Sequence, residues 1–130
     1  MWYHRLMGCR MSELVLDCTD AEELARFWCE VLGYTVLDRD DEGGIEIGPA
    51  AGFGGLQPTI ILSPGMEPRR EKSRLHWDVS PTGVDQETEL KRLLGLGARQ
   101  VDIGQGDVSW HVLADPEGNE FCLLRSPIPA

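Results

Sequence analysis

At 130 residues, with 42% apolar and 26% charged side chains, the chain has the composition of one water-soluble globular domain, long enough to bury a core and too short for two ordinary domains. Twelve basic against 22 acidic residues give a formal net charge of −10, which disfavours nucleic acid, whose phosphates would be repelled, and favours neutral or cationic ligands. No apolar run approaches the ~20 residues that a bilayer crossing needs. The opening MWYHRLMGCR also lacks the apolar stretch of a secretory signal. Residues 1–10 are expected to form a flexible extension, with Met7 and Met11 as alternative starts. Cys9, Cys18, Cys29 and Cys122 form no CxxC pair, which suits reduced thiols in a cytoplasmic protein.

Residues 12–18 alternate, with Leu14, Leu16 and Cys18 on one side and Glu13, Val15 and Asp17 on the other, as a half-buried strand does. Asp20, with Glu23 three residues on, is a capping-box start for a helix. Leu24, Phe27, Trp28, Val31 and Leu32 then form one apolar stripe, and Gly33 supplies a left-handed stop. Strands are expected at 34–38, 45–47 and 59–62. An acidic turn at 39–44 separates the first two, and a loop with four glycines at 48–57 separates the last two. Residues 64–73 are polar and charged and read as a linker.

Past the linker the pattern returns. Residues 74–80 alternate Leu75, Trp77 and Val79 against His76, Asp78 and Ser80. A helix over 84–94 buries Leu90, Leu93 and Leu94 and stops at Gly95 or Gly97. Strands are expected at 99–103, 108–114 and 120–124, with Asp115-Pro-Glu-Gly-Asn119 as a turn whose Pro and Gly set its geometry. Gly33 and Gly97 stand 64 residues apart, and Glu13 and His76 stand 63 apart. The chain is therefore a duplication of a β-α-β-β-β unit, module one at 11–63 and module two at 74–126, making one domain at 11–126.

Asp20 before a helix containing ArgPheTrp and ending LeuGlyTyr, His76 opening a strand, LeuGlyAla at 96–98 and AspProGluGlyAsnGluPhe at 115–121 resemble the vicinal oxygen chelate superfamily. Within it the chain is most similar to the small bacterial glyoxalase-like, or glyoxalase/bleomycin-resistance-like, domains. The resemblance implies an α+β fold in which two βαβββ modules curl mixed sheets around a cavity with helices on the outside, and it implies a homodimer. Such folds host isomerases, ring-cleaving dioxygenases, thiol transferases and metal-free drug-binding proteins, so function must be argued from the site. In metal-using members each module gives one ligand from its first strand and one from its last. Those places fall here on Glu13, His76, Ser63 and Cys122, where Cys122 replaces a common Glu.

The alternation separately directs Glu13, Asp17, His76 and Asp78 away from the helices and into a cavity wall that is mostly acidic. Glu13, His76 and Cys122 together offer oxygen, nitrogen and sulfur to a divalent ion such as zinc. Cys122 also reads as a small buried hydrophobe within Phe-Cys-Leu-Leu. His76 and Glu13 are the candidates for proton transfer, if the protein is an enzyme. Trp110 is either core or a stacking wall for a flat ligand, and His111 beside it is ambiguous in facing. The glycine-rich loop lacks the Lys-Ser/Thr of a phosphate loop. Two readings result. The favoured one is a small-molecule-binding protein with an acidic cavity and no complete metal site, its ligand cationic or aromatic. The alternative is a metal-dependent lyase, isomerase or dioxygenase.

Overall fold

The computed structural model describes residues 8–65 and 75–130. Most of the expected extension and linker therefore lies outside the described residues. The first module contains β1 (Glu13–Cys18), α1 (Ala21–Leu32), β2 (Thr35–Arg39), β3 (Ile45–Gly48) and β4 (Thr59–Pro64). The second contains β5 (Trp77–Val79), α2 (Gln86–Leu96), β6 (Arg99–Gln100), β7 (His111–Ala114) and β8 (Glu120–Leu123). The sheets run β1-β4-β3-β2 and β5-β8-β7-β6. In each, the first strand lies parallel beside the last, and the remaining pairs are antiparallel. The duplication read from the sequence is thus a duplication of topology, in an α+β fold.

Local chemistry accounts for the helix ends. The Asp20 carboxylate accepts the Glu23 N–H at 3.1 Å, and Gly33 closes α1 at φ 68°. Asp85, within the span expected to be helical, is instead the cap of α2, accepting the Thr88 N–H at 2.8 Å. Gly97, not Gly95, ends that helix at φ 119°. Leu94, expected in the core, is 38% exposed because α2 buries Leu90 and Leu93 and turns Leu94 outward. Three strands are markedly shorter than alternation suggested: β5 covers only Trp77–Val79, β6 has only two residues, and β7 begins at His111. Residues 101–110 form turns held by side chains, and those turns interrupt the ladder.

One core serves both modules. The apolar faces of both sheets contribute to it, with Leu62 and Ile47 from the first and Phe121, Leu123 and Leu113 from the second. Trp28 of α1, fully buried, stands edge-on to Trp77 and Phe121 across the module boundary, with ring centroids 5.2 and 4.9 Å away. Such edge-to-face pairs contribute ~0.5–1.5 kcal/mol each beyond their buried area.

The 115–119 turn fastens this boundary. Buried Asp115 accepts the Trp28 indole N–H at 2.9 Å and also takes bonds from the Glu117 and Asn119 backbones and the Asn119 amide. Burial pushes the Asp115 carboxyl above its ordinary pKa, while these hydrogen bonds pull it back. Glu117 accepts the N–H groups of Thr19 and Asp20 at 2.8 and 2.7 Å. The capping box expected Glu23 to reach back to Asp20. A carboxylate from the second module receives that N–H instead.

Candidate metal and ligand site

Strand alternation holds along β1 and over residues 76–79, whereas Leu75, expected on the apolar side, is 69% exposed and precedes β5. Glu13, Val15 and Asp17 are exposed, while Cys18 is buried and Leu14 and Leu16 are half-buried. His76 and Asp78 are exposed, and Trp77 between them packs on the core. Since α1 touches the apolar faces of both sheets, the polar faces of both are turned away from it.

On the second sheet this polar face gathers donors. His76 stands one residue before β5 and Asp78 in its middle, two apart and therefore on one side of the strand. Cys122 on β8 is directly paired with Asp78, so its side chain emerges on the same face. The His76, Asp78 and Cys122 ligand atoms all lie within 4.8 Å of one another. The imidazole Nε2 is 3.6 Å from an Asp78 carboxylate oxygen. Donors bonded to one tetrahedral zinc at ~2.0–2.3 Å lie about 3.5 Å apart. A small approach of the three side chains would therefore bring them to one ion, and nitrogen, oxygen and thiolate sulfur are a donor set that zinc accepts.

The other residues singled out from the sequence lie elsewhere. Glu13 and Asp17 belong to β1 of the first sheet, and Glu13 is outside the three-donor group. Ser63 pairs with Asp17 on that sheet and is half-buried. Asp78 joins the donors although the family pattern gave it no ligand role. The signal for it was available, because a residue two positions from His76 on a strand must share its face. Among the described residues no strand of one sheet pairs with a strand of the other, so β1 and β5 are both edges.

The facing of His111 is settled by register. Val112 pairs with Cys122 and so shares the donor face, whereas His111 pairs with buried Leu123 on the opposite face. The His111 Nδ1 lies 3.5 Å from the Gln100 amide nitrogen. Trp110, 39% exposed, borders a cavity of about 370 Å³ together with Val101, Asp102, Asp107, His111 and Val112. The four cysteines carry thiols and not disulfides. Burial foremost, with Glu117 next, pushes the Cys18 thiol to about 11.

The model of the glyoxalase-like domain family matches residues 13–124, nearly the whole chain. The chain belongs to that family. Solved structures with the same fold include the fosfomycin resistance protein FosX from Mesorhizobium loti. It is 17% identical, with 94% of this chain and 95% of that one covered at a TM-score of 0.66. A FosX variant from Listeria monocytogenes, solved with Mn(II) and 1S,2S-dihydroxypropylphosphonic acid, is 15% identical over 94% and 93% of the two chains, at a TM-score of 0.65. The trypanothione-dependent glyoxalase I of Leishmania major is 17% identical over 91% and 87%, at a TM-score of 0.63. At such identities the likeness speaks for fold and not for substrate. No curated protein matches the chain.

Proposed function

We propose that this glyoxalase-like protein binds a small organic ligand on the polar face of its second sheet, with His76, Asp78 and Cys122 holding a divalent cation, zinc first. The convergence of those three donor atoms within 4.8 Å carries the reading. A cation held there would act as a Lewis acid on neighbouring ligand oxygens, the chemistry of a lyase, isomerase or dioxygenase in this superfamily. The Asp78 carboxylate stands 3.6 Å from the His76 Nε2. His76 is the group placed to move a proton when it is not a ligand. Mn(II) in the Listeria neighbour supports the cation, since the two chains share a fold.

A homodimer is part of this proposal, in a cytoplasmic setting that the thiols favour. Both β1 and β5 are edge strands, and an edge offers unpaired backbone groups to a second chain. Laying β1 of one copy beside β5 of another would bring the Glu13 carboxylate toward His76. That would complete the Glu13, His76 and Cys122 set with Asp78 as a fourth donor.

The second reading is a metal-free acidic pocket for a cationic or aromatic ligand. Exposed Glu13, Asp17 and Asp78 and the net charge of −10 favour it. Elemental analysis of protein purified without chelator, followed by zinc titration, separates the two. The metal reading expects about one equivalent of zinc, lost in His76→Ala and in Cys122→Ser. Less than about a tenth of an equivalent, with no uptake on dialysis, refutes it and leaves the acidic pocket.

A further inference from the structure

The segment between β6 and β7 is held by its own side chains and borders an open cavity. Asp102 accepts the Gly104 N–H, and Gln105 accepts the Ile103 N–H, each at 2.8 Å. The Val101 N–H reaches the Val112 carbonyl at 2.9 Å and ties the start of the segment to β7. The open cavity, about 370 Å³, lies within the range of small-molecule sites. Val101, Val108 and Val112 are its apolar lining residues, and Trp110, 39% exposed, lines it as well. Asp102, Asp107 and His111 belong to its lining, and among the described residues no lysine or arginine does. A tryptophan, small apolar side chains and two aspartates, with one histidine and no lysine or arginine among the described lining residues, suit positive charge on a compact ring. Val112, part of its lining, belongs to the same sheet as the three donors. Asp78, Cys122 and Val112 are successive partners across three strands and share one face.

We propose that the cavity lined by Trp110, Asp102 and Asp107 is a subsite for the cationic, ring-bearing end of an organic ligand, such as an aromatic amine or amidinium. The inference rests on the reading of this face as a small-molecule site and deepens it by naming the ligand's charge and shape. It does not require the metal.

Benzamidine, a planar cation, and benzamide, its neutral isostere, are the probes, titrated calorimetrically into metal-free protein. The expected result is saturable benzamidine binding at least about 10-fold tighter than benzamide, weakening as salt is raised. The double variant Asp102→Asn/Asp107→Asn and the single Trp110→Leu should each weaken benzamidine about 10-fold or more. Asn at 102 keeps the acceptor that the Gly104 N–H needs, so the segment stays folded. His76→Ala, which disables the metal site, should leave benzamidine affinity within about 2-fold. Equal affinity for the two probes, no binding below about 10 mM, or indifference to the variants would each overturn the subsite. Zinc uptake that persists beside any of those results would show that the donor site stands without it.

Discussion

Replacing Asp115 by alanine should cost more than any other polar substitution in the described chain, because its carboxylate fastens one module to the other. It receives the indole N–H of a tryptophan that is 0% exposed, two backbone N–H groups and the Asn119 amide. Hydrogen bonds to a charged acceptor contribute ~1.5–3 kcal/mol, and a buried donor left unsatisfied costs ~1–3 kcal/mol. These contributions overlap, and a loss of about 3–5 kcal/mol is expected, a large fraction of the stability of a domain this size. Asp115→Asn should cost about 2 kcal/mol, because its amide turns a donor toward groups that are themselves donors. The link to Trp28 is isolated by a double-mutant cycle of Trp28→Phe and Asp115→Ala, with urea unfolding followed by far-UV circular dichroism. A coupling of about 1.5–3 kcal/mol is expected, since only this pair loses the 2.9 Å bond in both single variants. Additivity to within about 0.5 kcal/mol would refute the idea that the turn holds α1 through this bond.

His76→Ala should change unfolding stability by less than about 1 kcal/mol, because the ring is exposed; a loss beyond about 3 kcal/mol would make it a structural residue. Cys18, with its thiol pushed to about 11 from an ordinary 9.0, should alkylate about 100-fold more slowly at pH 8 than an ordinary thiol. Exposed Cys9 should label at once in native protein, and peptide mass spectrometry showing equal rates would contradict the buried placement of Cys18. The Asp85 carboxyl is held below its ordinary pKa by its bonds to Thr88. Its stabilising effect should be complete above the unfolded pKa and vanish as pH falls through the lower folded value. Asp85→Asn keeps the cap at neutral pH and should flatten that acid limb, while Asp115, titrating in both proteins, cancels from the comparison. Superimposable urea midpoints from pH 6 to 2 would count against the assignment.

Much of the fold was legible because its signals are local. The Asp20 cap, the α1 stripe, the Gly33 stop and the two-residue alternation of β1 depend on residues one to four apart, where covalent geometry fixes who meets whom. The repeat made the topology of the second module readable from the first. The donor site was half legible: His76 and Asp78 share a face by spacing, but nothing in the sequence pairs Asp78 with Cys122 rather than with a neighbour. The ends of β6 and β7 were misjudged because apolar residues such as Val101 and Val108 continue the alternation into a segment whose backbone is bent by Asp102 and Gln105.

The amino-acid order alone determined the repeated β-α-β-β-β order, the start and stop of α1 and which side of each first strand is polar. Tertiary structure decided that Glu117 takes the N–H groups of Thr19 and Asp20, 98 and 97 residues away, and that Trp28 meets Trp77. Contacts at that separation are selected by how two apolar faces fit around one helix. The energy of that fit belongs to the packed whole and is written in no short stretch of chain.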